Sequence, residues 1–359
     1  MKNICFVIHN IQCGGGTERV GTRIANELAR RGYKVSIISY DAKKESFFPL
    51  HESITTGVML SNILERRTRK FRKYASWKLR RFLLKNQIDL VIDIDTYHAL
   101  WTWPAIKGTG IRWISWDHFN FNYMIQQFAR LEAINLVEHH ANKLVLLTDE
   151  DRATYLEKTN IQPEFIQRIY NPLSFEEPQY VKRPAKKVVA IGRIDYQKGF
   201  DLLLQSWRLV EQQIDDWSLE IVCGYGDWNA LQQEAVSIGL KHVVCSPPTK
   251  DVRSKYAEAG IYAFSSRFEG FGLVLTEAST MSLPMVSYEC PVGPGEIIED
   301  GKNGLLVEPE NTVQFAEKLI WLMRHDKERY AMGRQAFEMA KRFSLNTIIP
   351  QWIELIENV

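Results

Sequence analysis

Two glutamates stand eight positions apart in the stretch SRFEGFGLVLTE, residues 266–277. The hydrophobic pattern predicts a strand, its exit loop and then a helix that begins at Leu273. Two glycines in the loop let the backbone approach a ligand closely, and the N–H groups of a helix start favour an anion. Carboxylates beside an anion site are poor phosphate ligands but good acceptors for sugar hydroxyls. Glu269 and Glu277 are therefore interpreted as holding the two sugars of a nucleotide-sugar; the alternative is a surface glutamate and a helix-face glutamate.

Two basic side chains occupy the loop after another predicted strand, in the stretch GRIDYQKG, residues 192–199. Arg193 and Lys198 are five positions apart. A guanidinium and an ammonium on one loop can grip a diphosphate and stabilise the negative charge on its departure. A solvated surface pair is the alternative. Because the loop follows a strand in the same half of the chain as Glu269, we favour a phosphate clamp.

A triple glycine lies near the start of the chain, in CGGGTERV, residues 13–20. It puts the backbone amides of Gly15 and Gly16 at a helix start. It lacks the GxGxxG spacing of dinucleotide-binding folds, so by itself it is a weak signal.

Strands and helices alternate in two runs, which predicts an α/β protein with two doubly wound, Rossmann-like parallel sheets. Residues 1–172 form the first predicted domain and residues 188–343 the second, and a proline-rich linker joins them over residues 173–187. Hydrophobic residues at helical spacing predict a helix over residues 344–359. We expect this helix to cross the seam and pack back on the first domain. The C-terminal ends of both sheets would then line an interdomain cleft, where open α/β sheets bind their ligands.

Composition excludes several classes of protein. A chain of 359 residues is too long for one compact core, and 45% hydrophobic with 25% charged residues is typical of a soluble globular protein. The net charge of +2 gives no support for a nucleic-acid partner. Five scattered cysteines without metal-type spacing predict free thiols in a reducing cytoplasm. The first residues alternate like a strand rather than a signal peptide, and no segment has the about 18 apolar residues of a membrane-spanning helix.

The stretch Glu65–Lys85 is strongly basic, with ten Lys or Arg residues against one Glu. An apolar stripe at helical spacing runs along it, formed by Phe71, Tyr74, Ala75, Leu79, Phe82 and Leu83, with Trp77 off the stripe. One interpretation is a helix that packs on the first sheet and exposes a basic face. The other, which we favour, is an interfacial helix on an anionic membrane, where each cation near the surface contributes about 1 kcal/mol. Neither the fold signals nor the net charge supports nucleic acid.

Three of these motifs, GGGTE, GRIDYQKG and the E-x7-E pattern of FEGFGLVLTEA, resemble those of the retaining nucleotide-sugar glycosyltransferases of family 4. That family has the two-Rossmann GT-B fold. The stretch CPVGPGEIIEDGKNGLLV, residues 290–307, is similar to the segment after the E-x7-E motif in bacterial members that build polysaccharide and lipopolysaccharide chains. The similarity covers nearly the whole chain, and the C-terminal motifs are more specific than the N-terminal ones.

The resemblance implies a donor site in the second domain. Arg193 and Lys198 would hold the diphosphate of a UDP-sugar, Glu277 would bind the ribose hydroxyls, and Glu269 would lie near the hexose. The other implied donor contacts are the backbone of Phe271, Gly272 and Leu273, with Gly15 and Gly16 closing from the first domain.

The acceptor side of the implied site lies in the first domain. His118, in the stretch SWDHFNF, matches a catalytic histidine that approaches the donor sugar. Asp117 is a weaker candidate, with capping or a surface role as its alternative, and Trp116 either stacks on an acceptor sugar or packs in the core. Asp93 and Asp95 match the D-x-D metal motif of the other large glycosyltransferase fold, but three residues match by chance often. Asp95 is therefore interpreted as an acceptor contact, and no metal is predicted.

The implied reaction is a metal-independent, retaining transfer of a hexose or N-acetylhexosamine to a hydroxyl of a lipid-linked surface glycan, forming an α-glycosidic bond without a cofactor. In a front-face displacement the departing diphosphate would help to deprotonate the acceptor; Glu269 as nucleophile is the minority alternative. A UDP-sugar epimerase of the same fold and a non-catalytic nucleotide-sugar-binding protein stay open. The missing GxGxxG pattern disfavours a nicotinamide dehydrogenase. We expect a cytoplasmic protein, peripheral on the inner face of the plasma membrane.

Overall fold

The computed structural model describes residues 1–41, 45–60, 69–175 and 185–359, without the side chains of Arg69 and Lys70. Part of the predicted linker, residues 176–184, lies outside the described residues, and so does the beginning of the basic stretch, residues 65–68. The chain divides into two compact units. Unit 1 is Met1–Pro172 with Leu345–Val359, and unit 2 is Leu173–Ser344.

The described strands of unit 1 form one parallel sheet with the order β3-β2-β1-β4-β5-β6-β7. These strands are β1 (Asn3–Ile8), β2 (Lys34–Asp41), β3 (Thr55–Leu60), β4 (Leu90–Ile94), β5 (Arg112–Trp116), β6 (Lys143–Leu146) and β7 (Ile166–Arg168). The helices between them are α1 (Gly16–Arg30), α2 (Arg69–Lys85), α3 (Ala99–Ile106), α4 (Phe121–Met124), α5 (Phe128–His140) and α6 (Asp149–Lys158). Short 3-10 helices are formed by Thr96–His98 and Pro163–Phe165.

The central strands of this sheet read as hydrophobic runs because helices cover both of their faces. β1, with the sequence NICFVI, pairs with β2 on one side and β4 on the other, with Ile4 opposite Val35 and Leu90. The chain builds outwards from β1 to β3, and then outwards on the other side from β4 to β7. The direction therefore reverses between β1 and β4, and open α/β sheets bind ligands at the carboxyl ends of the strands beside such a reversal.

Unit 2 repeats this design with the described order β10-β9-β8-β11-β12-β13, also all parallel. Its strands are β8 (Lys187–Gly192), β9 (Ser218–Cys223), β10 (Val243–Ser246), β11 (Ile261–Phe264), β12 (Met285–Tyr288) and β13 (Gly304–Val307). Its helices are α7 (Phe200–Glu211), α8 (Trp228–Ser237), α9 (Val252–Ala257), α10 (Leu273–Thr280), α11 (Pro294–Ile297), α12 (Thr312–Arg324) and α13 (Asp326–Ala340). Tyr196–Lys198 and Lys341–Phe343 form 3-10 helices. Here the reversal lies between β8 and β11.

The last helix, α14 (Leu345–Asn358), belongs to unit 1. Its Trp352 is fully buried and meets Trp116 with ring centroids 4.5 Å apart. Near its end, Lys2 Nζ donates to the Ile356 carbonyl at 2.6 Å, and Tyr33 Oη donates to Glu357 Oε1 at 2.5 Å. Packing against both the core and the first strand makes this helix part of unit 1.

The predicted fold class is confirmed, because both units are doubly wound parallel α/β sheets and the chain ends in a helix. In the basic stretch, α2 buries Ala75, Leu79 and Leu83 of the predicted stripe, as a helix packed on the first sheet would. Tyr74, also on that stripe, is exposed beside Trp77.

Candidate active site

The loops after β8 and β11 lie on either side of the reversal in unit 2, and they bring two predicted site residues into contact. Lys198 Nζ is 2.6 Å from Glu269 Oε1. Both side chains are largely buried, with 14% and 8% of their surface exposed. Charges at such a depth are screened less than charges on the surface. An anion that approaches Lys198 therefore competes with a carboxylate, and that carboxylate stays within reach of hydroxyl groups beside the anion.

Hydrogen bonds hold these two loops together. The backbone carbonyl of Gln197 accepts from Arg267 N at 2.8 Å, and the Gln197 side-chain amide donates to the Phe268 carbonyl at 3.1 Å. From the other loop, Ser265 Oγ donates to the Lys198 carbonyl at 2.9 Å. The position of the Lys198 side chain is therefore set by both loops rather than by one.

Arg193, the other predicted phosphate ligand, lies on the same loop but nearer to the solvent, with 58% of its side chain exposed. Its Nε pairs with Asp195 Oδ2 at 3.2 Å, and its Nη2 donates to Gln197 Oε1 at 3.1 Å. These contacts orient the guanidinium without burying it. The loop thus carries one largely buried cation and one exposed cation.

The start of α10 forms the other side of this loop pair. Gly272 caps the helix with a φ of 92°, a left-handed conformation that side-chain-bearing residues rarely adopt. Phe271 before it is buried and packs edge-on against Phe343, with ring centroids 5.7 Å apart. Leu273 is the first helical residue and is partly exposed. The three implied backbone contacts thus form the turn between β11 and α10.

Glu277 lies deeper in α10 and is buried. Its Oε2 accepts a hydrogen bond from Tyr256 Oη at 2.8 Å. The pKa of Tyr262 on β11 lies well above its ordinary value. Burial is the largest cause, and the negative charges of Glu277 and Glu269 raise this pKa further. The two acids of the E-x7-E pattern therefore share one electrostatic environment.

In unit 1 the glycine loop leads from β1 directly into α1. Gly15 is the cap of the helix and Gly16 its first residue, and both are exposed. A Cβ atom on Gly15 would lie 2.5 Å from Glu18 Oε2, so this carboxylate occupies the space that a side chain would take. Burial, and to a smaller extent the charge of Asp95, raises the pKa of Glu18 to about 7.

His118 follows β5, with its ring centroid 4.4 Å from that of Trp116. Its Nε2 is buried and has no hydrogen-bond partner within the described parts of the chain. Burial lowers the pKa of His118 to about 3, so the imidazole is neutral near pH 7. A neutral imidazole with an unpaired nitrogen can bond to a ligand hydroxyl as donor or acceptor, depending on its tautomer.

The two residues before His118 lie in the interior of unit 1. Asp117 Oδ2 accepts from Tyr155 Oη at 2.5 Å and its Oδ1 accepts from Phe119 N at 3.2 Å, so it caps a turn from a buried position rather than at the surface. Trp116 is fully buried against Trp352. Its assignment as a sugar-stacking residue is therefore wrong, because no ring face is exposed, and the core-packing alternative describes it.

The two aspartates of the D-x-D match have different partners. Asp93 accepts from Thr102 Oγ1 at 2.7 Å and from Trp113 Nε1 at 2.9 Å, which engages both of its oxygens in the core. Asp95 Oδ1 instead lies 2.5 Å from Arg130 Nη1. In the ranges that the structure describes, no group of three or more His, Cys, Asp or Glu side chains could hold a metal ion. Within the same ranges, no helix combines the length and the apolar character needed to cross a membrane.

Solved structures of known proteins share this fold. The structure of Anabaena Alr3699/HepE in complex with UDP superposes with a TM-score of 0.82 at 19% sequence identity, covering 99% of this chain and 100% of that chain. Two Rossmann-like sheets in this arrangement of strands define the GT-B class of glycosyltransferase folds.

The sequence matches define the family more closely. Residues 14–177 match the family model described as Glycosyltransferase Family 4, and residues 185–325 match the model described as Glycosyl transferases group 1. An uncharacterized glycosyltransferase of Haemophilus influenzae is 31% identical over 354 residues, which is 98% of this chain and 99% of the relative. An α-1,4-N-acetyl-D-galactosaminyltransferase of Campylobacter jejuni, whose name gives a PP-undecaprenol-linked substrate, is 24% identical over 100% of this chain and 99% of its own. The chain belongs to the family 4 glycosyltransferases, as its motifs predict.

Sequence reasoning missed three residues of these sites. Gln197 joins the two loops of unit 2, Tyr256 holds Glu277, and Arg130 pairs with Asp95. Gln197 lies inside a motif in which only the charged residues point to a phosphate site. The other two act across 21 and 35 positions of sequence, and no local spacing signals such pairs.

Proposed function

We propose that this glycosyltransferase moves a hexose or N-acetylhexosamine from a UDP-sugar to a hydroxyl of a lipid-linked glycan, with retention of the anomeric configuration. The Lys198–Glu269 pair carries this proposal. It combines a cation for a diphosphate with an acid for sugar hydroxyls at the carboxyl ends of the strands beside the reversal, where such sheets bind ligands. The UDP bound in the Anabaena structure supports the choice of donor, and the PP-undecaprenol in the name of the Campylobacter relative supports the choice of acceptor.

The chemistry requires stabilisation of the leaving diphosphate. The bond between the anomeric carbon and the β-phosphate oxygen breaks, and the acceptor oxygen bonds to the same face of that carbon. The proton of the acceptor hydroxyl goes to the departing diphosphate oxygen. Lys198 and Arg193 stabilise the charge on that oxygen without a metal, while Glu269 positions the sugar through hydrogen bonds.

A set of substitutions in the whole protein tests this proposal. Activity is measured with UDP-glucose, UDP-galactose and their N-acetyl forms, using undecaprenyl-diphosphate-linked N-acetylgalactosamine as acceptor. Because one positioned donor to a developing charge contributes about 10²–10³ in kcat, Lys198→Met should lower the rate of transfer by that factor. Lys302→Met is the matched control, since Lys302 also pairs with a glutamate, at 2.8 Å, but lies just before β13 at the opposite edge of the sheet. Full activity of Lys198→Met, or release of an isomerised UDP-sugar without acceptor, would contradict the proposal.

Metal independence gives a separate prediction. Because two cations occupy the loop after β8, EDTA should leave the transfer rate unchanged. Activity that is lost in EDTA and restored by manganese would show that Lys198 and Arg193 do not supply the electrostatic stabilisation assigned to them.

We also assign the membrane-facing role to the exposed side of α2. Trp77 is 49% exposed and Tyr74 stacks on it, with ring centroids 5.9 Å apart. Lys78 and Arg81 lie over these rings, each 4.8 Å from a ring centroid. Aromatic rings with adjacent cations suit the interface of an anionic bilayer, where a lipid-linked acceptor is held.

Not every cation of α2 serves this surface. Arg72 pairs with Glu132 of α5 at 3.0 Å, and Arg80 donates to the carbonyls of Ala105 and Lys107 at the end of α3. These two arginines anchor the helix on its own unit. Among the α2 cations whose side chains the structure describes, those left for an anionic surface are Lys73, Lys78, Arg81 and Lys85, and none of the four pairs with a carboxylate in the described residues.

Flotation of the whole protein with liposomes tests this surface. Replacing those four cations by Gln should strongly weaken binding to vesicles containing phosphatidylglycerol, because each contributes about 1 kcal/mol near the surface. The control variant loses four exposed lysines of unit 2, which are Lys241, Lys302, Lys327 and Lys341. Equal flotation of the two variants, or no flotation of the wild type, would exclude this role for α2.

A further inference from the structure

Arg130 on α5 is held more firmly than a surface arginine. Its Nη1 lies 2.5 Å from Asp95 Oδ1, and only 14% of its side chain is exposed. The guanidinium also lies over two aromatic rings, 5.2 Å from the centroid of Tyr97 and 4.7 Å from that of Phe119. An ion pair and two cation–π contacts fix both the place and the plane of this group.

Asp95 is held with equal firmness. Its backbone has a φ of 113°, its N–H donates to the Trp116 carbonyl at 2.8 Å, and its Oδ1 accepts from Tyr97 N at 2.9 Å. A non-glycine residue with this conformation is strained, and such strain persists at functional sites where the surroundings impose it. Asp95 also directly follows β4, one of the two strands beside the reversal in unit 1.

Asp95 and Arg130 each have polar atoms that make no hydrogen bond to the described residues. Asp95 Oδ2 accepts no hydrogen bond from the described residues, and Nη1 is the one nitrogen of Arg130 with an acceptor among them. Beside them Phe119 is exposed, with a relative accessibility of 38% for the residue. A free carboxylate oxygen, free guanidinium N–H groups and an apolar ring are the three features that bind the hydroxyls and the flat face of a sugar.

The charge around the pair disfavours an anion as ligand. Besides Asp95, the carboxyl groups of Asp117 and Glu18 lie close enough that the charge of Asp95 contributes to raising the pKa of both. Arg130 and His9 oppose these acids in part, since the charge of each lowers the pKa of Asp95. An uncharged ligand that offers hydroxyl groups meets no such repulsion.

We propose that Asp95, Arg130 and Phe119 form the subsite for a sugar ring of the acceptor, with Asp95 and Arg130 bridging two adjacent hydroxyls. This inference rests on the proposed transferase function and assigns a specificity role to Arg130. The carboxylate accepts from one hydroxyl, the guanidinium donates to the next, and Phe119 packs against the C–H face of the ring.

Saturation-transfer NMR with the whole protein tests the subsite directly. The probes are methyl α-glycosides of glucose, galactose, mannose and the N-acetylhexosamines, each added in the presence of UDP. At least one glycoside should bind the wild type, and Arg130→Met and Asp95→Asn should each weaken its binding at least tenfold. A deoxy glycoside that lacks either of the two hydroxyls should bind the wild type as weakly.

Two variants separate this role from a structural one. Arg168→Met is the matched control, since Arg168 also pairs with an aspartate, Asp149, at 3.4 Å and lies over a tyrosine ring, Tyr170, at 4.0 Å. It should bind the glycoside as the wild type does. Arg130→Lys keeps the charge beside Asp95 but lacks the planar fork, so its Tm should stay near that of the wild type while its glycoside affinity falls.

The outcomes distinguish the two proposals. If UDP binds normally but the wild type binds no glycoside, or Arg130→Met binds it as well as the wild type, the subsite is excluded. If neither the wild type nor Arg168→Met binds UDP or any UDP-sugar, the transferase function itself fails.

Discussion

At the scale of single residues, the proposed donor site places opposite charges side by side where the diphosphate would bind. Lys198 alone at its depth would be an uncompensated buried charge, and Glu269 balances it at 2.6 Å. The same carboxylate must then yield part of its contact when a diphosphate arrives. Under the proposed function, we therefore expect Glu269 to lower the affinity for the nucleotide while it binds the sugar.

This competition predicts an unusual variant. Glu269→Gln should bind UDP several-fold more tightly, because a negative charge beside Lys198 is gone, and yet should transfer sugar more slowly. Calorimetry with UDP and the transfer assay measure the two effects. Glu299→Gln removes the partner of the surface lysine Lys302 and should change neither. A loss of UDP affinity in Glu269→Gln would show that the carboxylate does not compete for Lys198.

A second residue-scale prediction concerns pH. Burial, with the charge of Asp95, raises the pKa of Asp117 to about 6, against about 3.9 in an unfolded chain. Between these two pKa values the Asp117 carboxyl keeps its proton in the folded state and loses it in the unfolded state. The wild type therefore loses stability as pH rises from about 4 to about 6. Relative to Asp117→Asn, the loss should be about 3 kcal/mol, measured by urea unfolding at a series of pH values. A stability difference between the two proteins that is constant over this range would contradict the assignment.

The sequence allows some of these residues to be predicted and not others. Glu269, Lys198 and Arg193 follow predicted strands, and parallel strands deliver their exit loops to one edge of a sheet, so their proximity could be inferred. Trp116 could not be placed, because an aromatic residue at the end of a strand suits both core and ligand. No local sequence pattern indicates a role for Arg130, since its partner Asp95 lies 35 positions away.

At the scale of elements, the geometry of the proposed donor site depends on the contact between two loops. Gly199 has a φ of 59°, and a Cβ atom there would lie 2.2 Å from the Ser265 carbonyl oxygen. This glycine lets the loop after β8 lie directly on the loop after β11. The contact brings Lys198 to Glu269.

Gly199→Ala should therefore damage the site as well as the fold. The left-handed backbone costs about 1–2 kcal/mol with a side chain, and the clash with Ser265 adds to it by pushing the loops apart. UDP affinity should fall at least tenfold. Gly239→Ala is the control, since Gly239 has a φ of 85° with no atom within 4 Å of the added Cβ, so it should lose stability and keep UDP affinity. Equal UDP affinity in both variants would show that the loop contact does not set the site.

The elements themselves could largely be predicted, because buried parallel strands are short hydrophobic runs. The hydrophobic run Leu90–Ile94 predicts a strand with the bounds of β4, and the helix that the pattern predicts over Phe200–Gln212 ends one residue earlier in α7, at Glu211. α3 is a counterexample: its sequence ALWTWPAI is apolar on nearly all sides and contains Pro104. Because apolar residues surround this helix, its sequence has no amphipathic period that would predict a helix. Its helical structure depends on burial between neighbouring elements.

At the scale of the whole molecule, the chain leaves unit 1 after Pro172 and returns to it at Leu345. The returning helix places Trp352 in the core beside Trp116 and fixes the amino end of the chain through Lys2. The stability of unit 1 therefore depends on the last residues of the sequence.

Trp352→Ala tests this dependence. Removing a buried tryptophan typically costs about 3–5 kcal/mol. Hydrogen exchange followed by mass spectrometry should show faster exchange in β5 and α1 of unit 1, with unit 2 peptides unchanged. Trp217→Ala, which opens the core of unit 2, should give the reverse pattern. Faster exchange confined to α14 itself would show that the helix contributes no stability to unit 1.

The measurement that tests the central claim most directly is a calorimetric titration of the whole protein with UDP in a buffer containing EDTA. We predict binding of one nucleotide per chain without any metal, a large loss of affinity in Lys198→Met, and wild-type affinity in Lys302→Met. No binding of UDP in the wild type, or unchanged binding in Lys198→Met, would contradict the claim that a lysine between two joined loops receives the diphosphate.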